Sequence, residues 1–317
     1  MRFATFEVAT PLGPVRRVGL VTPEGLLDLN ATYAAVLEAR VDPSRAAAIA
    51  DAVLPPDLLS ILAGGPMARD AIEEAVVFAG PNVVHRSEDV RMLAPLPRPA
   101  SLRDCSAFED HIKNVSGEGG VPPKWYELPV YYKGNPGAVA ATGDDVVRPP
   151  GVKRLDYELE FAFVIGRRGR DIPEDRAPDH VAGYMVFNDV SARDVQFREM
   201  SVHLGPAKGK DADGSNVLGP YLVTPDEFDP TEDNAMVARV DGEEWSRGLT
   251  SSMYHSVPRI VSYVSQSETL QVGDVIGAGT VGGGCGLELG KYPEMGSVVE
   301  LEIEGLGVLC NCFIEGT

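Results

Sequence analysis

The chain has 317 residues and carries 28 Lys and Arg against 47 Asp and Glu, a net charge of −19. Such a charge offers no attractive field to nucleic acid or to an anionic membrane, so neither is expected as a partner. The length allows one large core, or one main domain with a smaller companion.

Taken in chain order, residues 1–30 predict short strands in RFATFEV, VRRVGLV and GLLDL, with a turn at Pro11–Gly13. Residues 31–80 are rich in Ala, Leu, Asp and Glu, with breaks at Pro55–Pro56 and Gly64–Pro66, and predict two or three short helices. Prolines at 95, 97 and 99 favour extended, unpaired backbone and read as a connector. That divides the chain into a small N-terminal α/β domain, 1–94, and a main domain, 95–317. Beyond residue 100, strand-like runs recur in LDYELEFAFVIG, GYMVFNDVS, GPYLVT, AMVARVDG, DVIGAG and SVVELEIEG. Helices are expected only in SAFEDHIKNV, VSARDVQFREM and SVPRIVSYVSQ. Without regular strand–helix alternation, a doubly wound parallel sheet is disfavoured. The expected class is α+β, mainly β, as a roll or sandwich.

Four cysteines, Cys105, Cys285, Cys310 and Cys312, are too few for a disulfide framework and are read as reduced thiols. The N-terminal residues show no long apolar run or small-residue cleavage site, and no stretch of eighteen apolar residues occurs. A cytoplasmic location is expected.

The chemistry concentrates in Leu155–Ile165. As an extended segment it would place Leu155, Tyr157, Leu159, Phe161 and Phe163 on one face and Asp156, Glu158 and Glu160 on the other. Carboxylates at period two repel one another unless they face water or share a cation. The alternating Glu300, Glu302 and Glu304 form a contrasting set, read as a solvated face. Oxygen ligands suit a hard cation: Mg²⁺, with Ca²⁺ or Mn²⁺ as alternatives. Asp104 and His111 lie seven residues apart, so on one helix they would share a side, acid for metal and imidazole for proton transfer. The tract Val115–Pro123, with three glycines and two prolines, reads as a mobile loop or as a hinged lid.

Four segments in order, RDCSAFEDHIKNV, LDYELEFAFVIG, FNDVSARDVQ and LGPAKGKDADGSNVLGPYLV, resemble the fumarylacetoacetate hydrolase family. GDVIGAGTVGGG and VVELEIEGLGVLCN are similar to its glycine-rich turn and closing strands, so the likeness spans about residues 95–315. The resemblance implies that Asp104, Glu158, Glu160 and Asp189 ligate the metal and that His111 is the catalytic base. It implies that Lys210 neutralises the metal-site carboxylates, and that Tyr132, Lys133, Arg193, Gln196 and Thr280 shape the substrate pocket. Glu109 and Glu118 are both candidates for the acid that orients His111, while Asn114 stands where short acylpyruvase-like members carry an acid. Met200 replaces a substrate-contacting tyrosine of the fumarylacetoacetate-cleaving members, which points to aliphatic or aromatic acyl groups over fumaryl ones. The resemblance also implies a homodimer and a small 2-oxo or diketo acid substrate. C–C hydrolysis of a 1,3-diketone acid is the leading expectation. Decarboxylation, isomerisation or dehydration of a 2-oxo acid, and a non-catalytic metal-stabilised binding protein, stay open.

Overall fold

A computed structural model describes residues 1–78, 80 and 83–316. The first three strands, Arg2–Thr10, Gly13–Thr22 and Gly25–Asp28, form as the alternating apolar pattern predicts. Helices follow at Leu29–Glu38, Pro43–Val53, Leu58–Ala63 and Gly65–Val76. Asp28, Asp42 and Asp57 each begin one by accepting a backbone N–H of the first turn, which satisfies an otherwise orphaned donor.

The N-terminal strands are not a separate sheet. Arg2–Thr10 pairs with Asn216–Val223, so both parts of the chain share one twelve-stranded sheet among the described residues. Its middle runs in the order Asn216–Val223, Val181–Asp189, Leu159–Ile165, Asp274–Gly277, Ser101–Cys105 and Tyr131–Gly134. A five-stranded sheet, containing Ala235–Val240, Val298–Ile303 and Gly307–Glu315, packs over one face. The core there includes Phe161, Phe163, Val186, Met236, Leu301, Leu309 and Phe313. On the other face, Ala162, Val164, Met185 and Phe187 pack with Leu58, Ile61 and Ile72 of the N-terminal helices. This is the expected α+β, mainly β, layered architecture. Val299, Leu301 and Ile303 are buried while Glu300, Glu302 and Glu304 keep contact with solvent, as their alternation predicts.

Two local expectations are corrected. Leu159–Ile165 is buried on both faces, so it has no acidic side beyond Glu160. Asp156 lies outside that strand, in a short pairing of Leu155–Asp156 with Ser191–Ala192, and Glu158 makes an isolated bridge to Cys285. Nor do Asp104 and His111 share a helix. Asp104 is the penultimate residue of the strand Ser101–Cys105, and the helix begins at Glu109. The parallel pairing of Ser101–Cys105 with Asp274–Gly277 outweighs the helical pattern read across this region. Among the described residues, no helix is long and apolar enough to cross a membrane.

Candidate active site

The site stands at one end of the central strands. Asp104, Glu160 and Asp189 come from Ser101–Cys105, Leu159–Ile165 and Val181–Asp189, the first two separated by Asp274–Gly277, and their carboxylates converge within 4.8 Å. Glycine creates the room: a Cβ on Gly277, the partner of Asp104 in the sheet, would sit 2.3 Å from Asp104 Oδ1. The turn after that strand serves Glu160. Gly279 N–H donates to Oε2 at 3.1 Å and the Thr280 hydroxyl donates to Oε1 at 3.0 Å. Gly279 has φ +90° and its Cβ would meet the Cys105 carbonyl at 2.5 Å, so a side chain there is excluded twice over.

Asp189 is held through one oxygen only. Its Oδ2 accepts from Lys210 Nζ at 2.6 Å and from the Tyr132 hydroxyl at 2.7 Å. Asp189 Oδ1 and Asp104 Oδ1 are buried without a hydrogen-bond partner. Glu158 differs, since both its oxygens are occupied: Lys210 Nζ donates to Oε2 at 2.6 Å and Arg193 Nη1 lies 2.8 Å from Oε1. Arg193 is also bound to Asp156, whose carboxylate accepts the backbone N–H groups of Gly286 and Leu287.

Charge balance points to a cation. Asp104, Asp156, Glu158, Glu160 and Asp189 are buried with Arg193 and Lys210, five carboxylates against two cations, formally −3 when all are ionised. Burial and the neighbouring acids push Asp104 and Glu160 well above the usual carboxylate range. Burial raises Asp189 to about 6 although Lys210 opposes the shift. For Glu158 burial acts in the same direction, but Lys210 and Arg193 outweigh it and hold the carboxyl below its ordinary value. Lys210 stays charged because Asp189 and Glu158 offset its desolvation. Three converging hard-oxygen donors, two with unpartnered oxygens and all short of positive charge, fit a divalent cation.

Next to this trio lies a hydrogen-bonded histidine–glutamate pair. His111, on the helix Glu109–Ser116, has Nδ1 2.8 Å from Glu288 Oε1. Asn114 Nδ2 and Gly283 N–H donate to Glu288 Oε2 at 2.6 and 2.8 Å. Burial would raise Glu288, but His111, Asn114 and Gly283 prevail and its carboxyl is lowered. An ionised Glu288 fixes the Nδ1–H tautomer of a neutral His111 and leaves Nε2 as its basic nitrogen. His111, Asp104, Glu158, Tyr132, Lys210 and Thr280 line one cavity of about 400 Å³.

Residues 101–314 match the model described as fumarylacetoacetate (FAA) hydrolase C-terminal. The chain belongs to the fumarylacetoacetate hydrolase family. A human mitochondrial oxaloacetate tautomerase is 33% identical over 98% of this chain and 91% of its own length. An oxaloacetate tautomerase of Bacillus subtilis is 34% identical over 70% of this chain and 73% of its own. Among solved structures, the fumarylacetoacetate hydrolase of Exiguobacterium antarcticum aligns with a TM-score of 0.74 at 29% identity, covering 99% of this chain and 100% of that one.

Against the residues expected from this family resemblance, the structure makes several changes. Asp104, Glu160 and Asp189 form the close trio, and Glu158 stands beside them with its oxygens engaged. Tyr132, Arg193, Gln196 and Thr280 line the cavity, Arg193 as a buried clamp on Asp156 and Glu158 and not as a free anchor. Lys133 is not in the site: strand alternation sends Tyr132 inward and Lys133 outward, with its side chain 68% exposed. Glu109 binds the Tyr126 hydroxyl and Lys113, and Glu118 is exposed, so neither orients His111. Glu288 does. The sequence carried one sign of it, an acid just beyond the glycine-rich turn in GCGLEL, but its 177-residue separation from His111 gives no spacing to read. Asp156 and Gly277 were likewise legible as residue types and not as partners.

Proposed function

We propose that the protein is a divalent-metal-dependent enzyme acting on a 2-oxo acid with a second carbonyl, and that it moves a proton at the carbon between the two carbonyls. Mg²⁺ is the proposed metal, with Mn²⁺ or Ca²⁺ as alternatives. The observation that carries the reading is one cavity lined both by His111, whose Nδ1 meets Glu288, and by Asp104, whose unpartnered oxygen belongs to the carboxylate trio.

Asp104, Glu160 and Asp189 would hold the cation, with Glu158 a fourth donor if Lys210 or Arg193 yields one of its oxygens. When bound, the cation supplies Lewis acidity that polarises the 2-oxo group and acidifies the adjoining C–H. His111 Nε2 removes the proton from that carbon while Glu288 stabilises the imidazolium through Nδ1–H. The proton then returns to the substrate at oxygen, completing a keto–enol interconversion in which nothing is gained or lost. Lys210 places positive charge beside the oxygen that becomes negative.

The relatives from human mitochondria and Bacillus subtilis, both oxaloacetate tautomerases, support proton transfer as the reaction type. So does the wall around His111, which is formed by Phe108, Ile112, Val115 and Leu287 and lacks Glu109 and Glu118 as water-holding acids. C–C hydrolysis is the second reading, favoured by the presence of a base pair that can equally activate a water. Mg²⁺- or Mn²⁺-loaded enzyme given oxaloacetate and acylpyruvates separates them. Tautomerisation gives faster loss of the enol band and deuterium entry at the central carbon, with no new acid. Hydrolysis in ¹⁸O-water releases a labelled carboxylic acid instead. Metal-dependent acceleration of neither reaction sinks both readings.

A further inference from the structure

The His111–Glu288 pair has a third neighbour. Cys285 immediately precedes the short helix Gly286–Leu289 and donates its Sγ–H to Glu288 Oε1 at 3.4 Å. His111 Nδ1 meets the same oxygen at 2.8 Å. Donor atoms of the three side chains lie within 4.8 Å of one another, a second such group among the described residues beside Asp104, Glu160 and Asp189. Donors on one tetrahedral Zn²⁺ stand roughly 3.3–3.8 Å apart, so small side-chain adjustments would close the three around an ion.

The backbone holds two of the three donors in place. Asp156 accepts the N–H groups of Gly286 and Leu287, the residues between Cys285 and Glu288. Asn114 and Gly283 occupy Glu288 Oε2, which leaves Oε1 toward His111 and Cys285. His111 comes from another element and lines the cavity, so an ion can arrive from that side. The donor chemistry separates this group from the neighbouring trio. Three carboxylates suit Mg²⁺ or Mn²⁺, whereas sulfur, imidazole nitrogen and one carboxylate oxygen suit Zn²⁺.

We propose that His111, Cys285 and Glu288 form a second metal site, which takes Zn²⁺ and silences the base when filled. Binding forms an S–Zn bond and releases the Sγ proton to solvent; nothing is oxidised. The thiolate and the Glu288 carboxylate then balance the charge of the ion. Bound through Nδ1, Zn²⁺ leaves the ring proton on Nε2; bound through Nε2, it takes the basic lone pair. Either way His111 no longer accepts a proton from carbon. The silencing rests on the reading of His111 as base, and the site itself does not.

The test uses the full chain in excess Mn²⁺, which keeps the oxygen trio filled. Co²⁺, as a spectroscopic stand-in for Zn²⁺, should give a thiolate-to-cobalt charge-transfer band in the near ultraviolet. That band should vanish in Cys285→Ala and in the nearly isosteric Cys285→Ser. It should persist in the Cys310→Ser, Cys312→Ser double variant, which removes the two partly exposed thiols. Calorimetry with Zn²⁺ should find an equivalent in the wild type that both Cys285 variants lack. No band, or a band that survives loss of Cys285, overturns the site. Turnover reports separately: Zn²⁺ should slow the wild type by about 10²-fold or more, the worth of a general base, and leave Cys285→Ser at its Zn²⁺-free rate. Equal Zn²⁺ sensitivity of the two proteins overturns the silencing. A Cys285-dependent band in a wild type that turns over no 2-oxo acid refutes the reaction reading and supports the site.

Discussion

His111 and Glu288 illustrate how much of this site depends on single contacts. The imidazole is a side chain of an exposed short helix, and its 2.8 Å bond to a carboxylate that is itself held by Asn114 and Gly283 selects the tautomer. Glu288→Gln would keep the shape and remove the charge that stabilises the imidazolium. It is expected to lower kcat roughly 10²-fold with little change in metal affinity, whereas His111→Ala should cost about 10²–10⁴-fold. The pH profile of kcat distinguishes positioning from simple damage, since the base must be unprotonated and losing the neighbouring Glu288 charge should move the acidic limb to lower pH. A variant with wild-type kcat and an unchanged profile would show that Glu288 does not orient the base. At this scale the sequence supplied His111 and its neighbour Asn114. The partner acid was hidden because contact across 177 residues leaves no trace in local spacing.

At the scale of elements, the carboxylate trio exists because three strands of one sheet bring their acids to the same end, and the Asp274–Gly277 strand between two of them contributes by what it lacks. Gly277 faces Asp104 in a parallel pair, and the space where its Cβ would stand is filled by Asp104 Oδ1. Gly277→Ala should displace that carboxylate without breaking the ladder, because the backbone there needs no unusual dihedral. Metal affinity is expected to fall roughly tenfold or more, read by calorimetry with Mn²⁺. The far-ultraviolet circular dichroism should stay unchanged. Wild-type metal affinity in that variant would remove Asp104 from the ligand set. The strand pattern of the sequence was legible here, because alternation and β-branched runs are local. The end of the Ser101–Cys105 strand was not: the helical spacing of Asp104 and His111 competes with a sheet partner, Gly277, that is distant in the chain and makes the stronger claim on the backbone.

For the whole molecule, the buried excess of carboxylates links folding to protons and metal. Asp104, Glu160 and Asp189 have native pKa values raised above their unfolded ones, Asp189 to about 6 from 3.8. Such groups contribute stability that is fully present below the unfolded value and is lost as pH rises through the native one. Glu158 is shifted downward, so its contribution is present above its unfolded pKa of 4.5 and is lost on acidification below that. Between pH 5 and 8 the raised group dominates. The metal-free protein should therefore lose several degrees of Tm over that interval. Mg²⁺ or Mn²⁺, which binds the ionised forms, should raise Tm more at pH 8 than at pH 5. Equal metal-induced shifts at both pH values would contradict the trio as a cation site. A homodimer is also expected, since the strand Tyr131–Gly134, at the active-site edge of the large sheet, presents unpaired backbone that a second copy could cover. Light scattering should give twice the chain mass of 33.9 kDa; a species of the single-chain mass at micromolar concentration would refute it.

The sequence by itself determined the layered, mainly β class, the identity of Asp104, Glu160 and Asp189 as candidate ligands, and Lys210 and His111 beside them. Each of these follows from residue type and local pattern, together with the order of the segments that resemble the family. Only the tertiary structure decided that Glu158 is already clamped by Lys210 and Arg193, that Glu288 and not Glu109 or Glu118 holds His111, and that Lys133 faces away. It also decided that Ile112, Val115, Phe197 and Met200 come together in the lining of the cavity. These are facts of charge pairing, and a charge is paired by whatever the fold brings within about 3 Å of it, a relation that the order of residues along the chain does not encode.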